Sequence, residues 1–193
     1  MTRTIVLASS SPQRARLLAQ LGLTHETIAA DIDETPREGE PAEALAERLA
    51  RGKAEAIAHE QRDALVLGSD TVVALGERLY GKPRDDADAD RMLASLSGQT
   101  HRVVSGVALC TGGRTVSRVA ISEVSMREIS AGERAGYIAS GEPMGKAGGY
   151  AIQGLGAVFI ARLDGSYSSV MGLPLFETAA LLRDAGIDVL PSS

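Results

Sequence analysis

Short apolar runs rich in β-branched residues alternate with longer segments of helical periodicity along most of this chain. Such alternation is typical of α/β folds, in which helices cover the faces of a largely buried sheet. Residues 102–110 and 115–129 interrupt the alternation, because these two β-rich runs follow one another across a short turn that contains Gly112 and Gly113. A glycine-containing turn between two such runs predicts a hairpin. The sequence therefore predicts an α/β protein with a mixed, partly antiparallel sheet.

The limits of the other elements follow from capping residues, prolines and glycines. Ser11 and Pro12 predict the start of a helix that ends at Gly22, and a second helix is predicted from Pro41. The remaining predicted elements are strands at 4–8, 27–30, 64–68 and 157–162, helices at 85–96, 130–140 and 175–183, and loops at 31–36, 141–149 and 166–174. No repeat or interdomain linker is visible, so residues 1–193 are expected to form a single domain.

Composition bears on the class of protein. Hydrophobic residues make up 44% of the 193 residues, which excludes a mainly disordered chain. An aromatic content of 3% and a formal net charge of −5 argue against a general nucleic-acid binder, which needs stacking faces and a basic field. There is no membrane-length apolar run, and Cys110 has no second cysteine with which to form a disulfide. We therefore expect a soluble cytoplasmic protein with no membrane contact and no stable nucleic-acid complex.

Two segments place polar side chains where a ligand can bind. Ser9 and Arg14 flank the predicted N-terminus of the first helix, where backbone N–H groups attract phosphate, although the same residues also suit a capped surface helix. Asp70 lies where a buried apolar run ends. A carboxylate there needs a partner, and it can hold Mg²⁺ or accept a proton from water. The alternative for Asp70 is a cap for the following turn.

Lysine is scarce in this chain, which has only three lysines against 17 arginines. Lys53, Lys82 and Lys146 each lie beside glycine, which favours phosphate-facing roles for the group as a whole, although each lysine taken singly is more typical of a solvated surface. Glu34, in the acidic segment 31–36, is by itself more typical of a solvated loop. Gln153 follows a glycine-rich stretch that allows close backbone approach to a ligand, and its amide can both donate to and accept from a base edge. A tight structural loop is the alternative there.

Taken together, these segments resemble the Maf family of nucleoside triphosphate pyrophosphatases. The matching stretches run in order through nearly the whole chain: LASSSPQRARLL (7–18), DIDETP (31–36), RLARGKAEAIA (48–58), VLGSDTVV (66–73), GKP (81–83), SGQTHRVVSGVAL (97–109), GEPMGKAGGYAIQG (141–154) and GSYSSVMGLPL (165–175). The resemblance implies a two-lobed α/β fold with an extended mixed sheet flanked by helices and a nucleotide cleft between the lobes. It also implies a homodimer that hydrolyses nucleoside triphosphates to the monophosphate and pyrophosphate with a divalent metal, Mg²⁺ or Mn²⁺.

The resemblance also implies roles for individual residues of this sequence. Asp70 matches the family's proton acceptor, which activates water, and Asp70 and Glu34 match the acidic residues concerned with the metal. Four further positions are expected to face the triphosphate: Ser9, Arg14, Lys53 and Lys82. These roles agree with the physical requirements of attack on a polyanion, which are charge neutralisation and an activated water.

Three positions bear on the choice of base. The stretch KAGGYAIQG (146–154), together with Thr71 and Gln153, matches the branch of the family that acts on dTTP and UTP. The branch that acts on 7-methyl-GTP has Gln after the catalytic Asp and Glu in place of Gln153. Gln13 departs from both branches, which have Arg or Trp there, and this departure implies a relaxed base preference. We therefore expect dTTP and UTP hydrolysis, the alternatives being 7-methyl-GTP hydrolysis and a non-catalytic, nucleotide-binding regulator of cell division.

Overall fold

A mixed sheet of seven strands organises the computed structural model, which describes residues 4–190. The strands are β1 (Ile5–Ala8), β2 (His25–Ile28), β3 (Leu65–Leu75), β4 (Arg78–Tyr80), β5 (Thr100–Thr111), β6 (Arg114–Met126) and β7 (Ile160–Asp164). Their order is β2-β1-β3-β5-β6-β7, and β4 pairs with the far end of β3. β1 is parallel to β2 and β3, and the other pairs are antiparallel. The predicted mixed α/β fold is confirmed.

Helices flank this sheet, and local side chains fix where several of them begin. The helices are α1 (Pro12–Gln20), α2 (Ala42–Glu60), α3 (Asp86–Leu96), α4 (Ala131–Ala139), α5 (Tyr167–Met171) and α6 (Leu175–Asp184). The side chains of Ser11, Asp85 and Ser130 cap α1, α3 and α4 by accepting a hydrogen bond from the backbone N–H three residues later. Within residues 4–190, no helix is long and apolar enough to cross a membrane.

Two glycines allow α2 to lie directly on the sheet. A Cβ atom on Gly68 would lie 2.2 Å from the carbonyl oxygen of Ala50, and one on Gly106 would lie 2.3 Å from that of Ala46. Side chains at these strand positions would therefore push α2 away from β3 and β5. Because the helix approaches so closely, Lys53 on α2 reaches the β3 strand.

Buried apolar residues gather at both ends of β3. Leu65 and Leu67 belong to a cluster with α1 and α6, whereas Val73 belongs to a cluster with α3, α4 and β4. The polar stretch 69–71 lies between these two clusters. Polar side chains are thus placed at the centre of the sheet, where each needs a partner or a ligand.

The strand β3 continues through residues 69–71, so the predicted position of Asp70 at the carboxyl end of a strand is wrong. The backbone pairs with β5 without interruption from Val66 to Ala74, and Asp70 lies opposite Gly106 in that register. Cross-strand hydrogen bonding therefore overrides the local preference of Ser, Asp and Thr for turns.

Other element limits also differ from the sequence prediction. The predicted strand at 157–162 is a short 3₁₀ helix, Leu155–Phe159, followed by β7. The predicted loop at 166–174 contains α5, which begins where Ser166 accepts a hydrogen bond from the backbone of Ser169. β4 was not predicted, and β2 begins two residues earlier than expected. Tertiary packing decides these short elements more than local propensity does.

Candidate active site

A gap along one edge of β3 exposes the polar centre of the sheet. β1 pairs with β3 only as far as Gly68, and β4 pairs with it only from Val73 onward. Within the described part of the chain, no strand pairs with that edge between these two residues. A cavity of about 520 Å³ lies beside the gap, a size typical of small-molecule sites. Asp70 lies in the gap and lines the cavity.

Every residue that the sequence analysis singled out as a site residue lines this one cavity. They come from six separate segments of the chain and are Ser9, Gln13, Arg14, Glu34, Lys53, Asp70, Thr71, Lys82 and Gln153. The fold therefore brings together all of the residues that the resemblance grouped by role.

Lys53 joins the two acidic residues of the cavity. Its Nζ lies 2.6 Å from Oδ1 of Asp70 and 2.6 Å from Oε1 of Glu34. Lys53 and Asp70 are buried, whereas the side chain of Glu34 is about half exposed. Partial burial alone would raise the pKa of Glu34, but the hydrogen bond and charge of Lys53, with the charges of Lys82 and Arg14, lower it below its ordinary value. Glu34 is therefore ionised at neutral pH.

These two carboxylates fit a partial metal site. Glu34 and Asp70 contact the same ammonium group, so the two carboxylates are close enough to bind one cation together. No cluster of three or more His, Cys, Asp or Glu side chains among residues 4–190 is arranged to hold a metal ion. Mg²⁺ is commonly held by one or two carboxylates and completed by water and substrate phosphates. The donor set thus fits a metal that is bound together with a phosphate.

An ion pair fixes the loop that carries Glu34. Arg48 on α2 donates two hydrogen bonds of 2.7 Å to the carboxylate of Glu40 and a third, of 3.1 Å, to the carbonyl of Thr35. The Arg48 hydrogen bond lowers the pKa of Glu40 to about 2. Since Arg48 and Lys53 are both on α2, one helix holds the loop and supplies the ammonium that Glu34 contacts.

The N-terminus of α1 forms another wall of the cavity. Oγ of Ser9 accepts hydrogen bonds from the backbone N–H of Ser11 at 3.1 Å and from Arg14 at 3.4 Å. The Nε atom of Arg14 donates to the carbonyl of Gly172 at 2.8 Å. Burial lowers the pKa of Arg14, and the charges of nearby carboxylates oppose that effect. These contacts orient a guanidinium group beside a helix N-terminus, an arrangement suited to phosphate oxygens.

Thr71 is held from the side of the sheet opposite α2. Its Oγ1 lies 2.7 Å from Oγ of Ser105, which donates a hydrogen bond to the carbonyl of Ser169. Side chains alternate along a strand, so Thr71 and Asp70 point to opposite faces of β3. Ser105, Ser169 and Gly172 lie in the matching stretches 97–109 and 165–175, but the sequence assigns them no role, because their contacts join segments far apart in the chain.

All three lysines of the chain line the cavity. Among the described residues, only Lys53 of the three forms ion pairs, whereas Lys82 and Lys146 act on Glu34 and Glu142 through longer-range charge. With Arg14 the lining has four cationic side chains against the two carboxylates. The cavity is therefore positively charged in a chain whose formal net charge is −5.

Tyr150 lines the cavity and contacts His101, a buried polar residue that does not line it. The hydroxyl of Tyr150 lies 2.7 Å from Nε2 of His101, and the two rings meet edge to face. Burial lowers the pKa of His101 to about 4, so this histidine is neutral at pH 7. Neither residue was identified from the sequence as part of the site.

Comparison with known proteins agrees with the resemblance seen in the motifs. A family model described as "Maf-like protein" matches residues 4–185. The chain belongs to the Maf family. This match confirms the family predicted from the sequence motifs.

Curated relatives of this Maf protein cover nearly its full length. A Myxococcus xanthus protein named dTTP/UTP pyrophosphatase is 53% identical, with 95% of this chain and 93% of the relative covered. Proteins with the same name from Cupriavidus metallidurans (97% and 99% covered) and Shewanella oneidensis (95% and 98% covered) are each 48% identical. Among solved structures, the Staphylococcus aureus Ham1 protein is 20% identical and has a TM-score of 0.45, with 66% of this chain and 72% of that chain covered.

Proposed function

We propose that this Maf protein is a nucleoside triphosphate pyrophosphatase that hydrolyses dTTP and UTP to the monophosphate and pyrophosphate. The observation that carries the proposal is the Lys53-bridged pair of Asp70 and Glu34 in a cavity lined by every lysine of the chain. The curated relatives named dTTP/UTP pyrophosphatase, which are 48–53% identical over nearly their whole length, support this choice of substrate.

The charges of the cavity suit a triphosphate. Arg14 and the unpaired Lys82 and Lys146 are available to phosphate oxygens from three parts of the chain. The N-terminus of α1 adds the partial positive charge of its free N–H groups. A positive cavity in an acidic protein attracts the polyanion to this one place and repels it elsewhere.

In the proposed reaction Asp70 is the proton acceptor. As the water oxygen bonds to phosphorus and the bond between the α- and β-phosphates breaks, the Asp70 carboxylate takes the water proton and pyrophosphate leaves. Lys53 holds Asp70 at a fixed position through the 2.6 Å contact. The cationic side chains stabilise the negative charge that develops on the phosphate oxygens and on the leaving pyrophosphate.

A divalent metal, Mg²⁺ or Mn²⁺, would be held by Glu34 and Asp70. When bound, it supplies further charge neutralisation at the phosphate oxygens. The pair between Arg48 and Glu40 keeps the Glu34 loop in place for that role.

A panel of triphosphates tests the proposal directly. With Mg²⁺ or Mn²⁺ present, we expect the highest kcat/KM for dTTP and UTP, and monophosphate and pyrophosphate in equal amounts by chromatography. Release of orthophosphate with a diphosphate would contradict the proposed reaction. A higher kcat/KM for 7-methyl-GTP would favour the other branch of the family, and thermal stabilisation by nucleotides without any product would favour a binding protein.

Gln13 gives a second prediction. It lies in the first turn of α1, where Ser11 Oγ donates to its amide oxygen at 3.4 Å. An arginine at position 13 would donate hydrogen bonds from a charged group, and a hydrogen bond that involves a charged group contributes about 1.5–3 kcal/mol. Gln13→Arg is therefore expected to raise kcat/KM for dTTP about tenfold or more, and to raise it less for 7-methyl-GTP.

Gln20→Arg is the matched control, because Gln20 is exposed at the other end of the same helix. The control is expected to leave the kcat/KM ratio of dTTP to 7-methyl-GTP unchanged. An equal ratio in both variants would mean that position 13 does not contribute to the choice of base.

A further inference from the structure

Glu142 lies outside the cavity lining, yet it binds the segment that carries Gln153. Its Oε1 accepts hydrogen bonds from the hydroxyl of Tyr137 at 2.8 Å and from the backbone N–H of Gly156 at 2.9 Å. Its Oε2 accepts from the backbone N–H of Leu155 at 2.9 Å. Burial alone would raise the pKa of Glu142, but these hydrogen bonds lower it below its ordinary value. The carboxylate is therefore ionised and engaged by three donors.

The same pair of side chains also holds the other side of Gln153. The hydroxyl of Tyr137, which donates to Glu142, accepts a hydrogen bond from the backbone N–H of Ala151 at 3.1 Å. Gln153 thus lies between Ala151, tied to the phenol, and Leu155, tied to the carboxylate. Its position in the cavity depends on two side chains that do not line the cavity themselves.

Glycines let the backbone approach these two side chains closely. A Cβ atom on Gly154 would lie 2.2 Å from Oε2 of Glu142, and one on Gly156 would lie 2.8 Å from the hydroxyl of Tyr137. Tyr137 is itself fixed, because its ring is buried and packs edge to face on Phe159, with the ring centres 5.2 Å apart. The segment 151–156 is therefore held against Tyr137 of α4 and against Glu142, which follows that helix.

We propose that Glu142 and Tyr137 are positioning residues that set base discrimination by fixing Gln153 in the cavity. This inference rests on the proposed function, since it concerns recognition at the same site. The amide of Gln153 presents a donor and an acceptor side by side, which complement O4 and N3–H of thymine and uracil. A displacement of about 1 Å weakens both hydrogen bonds, and with them the difference between one base and another.

The positioning role of Glu142 and Tyr137 does not involve the catalytic groups. Asp70, Lys53 and Glu34 lie on other elements and make no contact with Glu142 or Tyr137. Loss of the two positioning residues is therefore expected to raise KM and reduce discrimination while kcat changes little.

Tyr137→Phe and Glu142→Gln test the inference with small changes. Phenylalanine keeps the packing on Phe159 and removes only the hydroxyl, whereas glutamine removes the charge of Glu142. In each variant we expect kcat/KM for dTTP to fall about tenfold, mainly through KM, and the dTTP to dCTP ratio of kcat/KM to fall by a similar factor. Glu133→Gln, which removes a carboxylate on α4 that contacts Arg127 and Ser130, is the matched control and should leave the ratio unchanged.

A double-mutant cycle with Gln153→Ala separates positioning from general stability. If Tyr137 acts through Gln153, Tyr137→Phe has no further effect on the base ratio when Gln153 is already alanine. A lowered Tm with an unchanged base ratio, or an equal additional loss in the Gln153→Ala background, would overturn the inference.

Failure of the proposed function is seen separately, because it shows in the unaltered protein as no hydrolysis of dTTP or UTP to the monophosphate and pyrophosphate. In that case the equilibrium binding ratio of dTTP to dCTP gives the same test of Tyr137 and Glu142 without turnover. A binding ratio that falls in both variants supports the inference, and one that stays the same overturns it.

Discussion

Asp70→Asn is expected to slow pyrophosphate release from dTTP by about 10²–10⁴-fold, the usual contribution of a general base. Asparagine keeps the shape of the side chain and an oxygen that accepts the hydrogen bond of Lys53, but it does not take a proton from water. Glu34 still pairs with Lys53 in this variant, so the buried ammonium is not left without a carboxylate. The loss should therefore be in kcat, and Tm should change little.

Asp63→Asn is the control for this variant. Asp63 is exposed in the turn that precedes β3 and does not line the cavity. The same chemical change is therefore made seven residues earlier in the chain, outside the cavity. We expect unchanged turnover in the control. If Asp70→Asn retained more than a tenth of the original kcat while folded, as checked by thermal melting, Asp70 would not be the proton acceptor.

Much of the fold and the family was predictable because the signals are local or numerous. Helix starts at Ser11, Asp85 and Ser130 depend on hydrogen bonds within three residues, and these capping contacts are present in the structure. The family prediction used eight motifs in order, and the family match over residues 4–185 confirms it. Local caps and ordered motifs need no knowledge of tertiary contacts.

The surroundings of Asp70 were not predictable in the same way. Its place in the middle of β3 depends on pairing with β5, more than 30 residues later in the chain. The gap that exposes it depends on where β1 and β4 end, and β4 was not predicted at all. A window of sequence around 69–71 shows three turn-forming residues and gives no sign of the partner strand.

The same limit applies to residues that support the site from a distance. Gly172 contacts Arg14 across 158 residues of chain, and Ser105 contacts Ser169 across 64. Glu142 acts through the backbone of residues 155 and 156. None of these contacts has a local sequence pattern. The roles given to the cavity residues, the metal, the cytoplasmic location and the homodimer stay predictions.

Lys53→Met is expected to have a large effect on pH dependence as well as on rate. Without the ammonium, Glu34 loses the hydrogen bond and the charge that lower its pKa and lies near the like charge of Asp70, so the pKa of Glu34 rises. Because Glu34 has to be ionised to hold the proposed metal, its raised pKa lowers activity over more of the pH range. We therefore expect kcat/KM for dTTP to fall about 10²-fold or more at neutral pH, and the acidic limb of the pH profile to move to higher pH.

The stability of the same variant should respond to pH with the opposite sign. In the unaltered protein the pKa of Glu34 is below its ordinary value of 4.5, so its contribution to stability is present above that pH and is lost as the pH falls further. In Lys53→Met the pKa of Glu34 is raised, so its contribution to stability is present at low pH and is lost as the pH rises through that raised pKa. Tm measured from about pH 3 to about pH 8, a range that includes the region below 4.5 where the Glu34 contribution is lost, reports both slopes.

Comparison of Lys82→Met with Lys53→Met distinguishes the effect of the ammonium that bridges Asp70 and Glu34 from the effect of removing any positive charge from the cavity. Lys82 lines the same cavity but forms no ion pair with a described carboxylate. This variant is expected to raise KM for dTTP while the pH dependence of Tm keeps the sign of the unaltered protein. If Lys53→Met and Lys82→Met gave the same pH dependence of Tm, the two carboxylates would not be coupled through Lys53, and the central contact of the proposed site would have no energetic role.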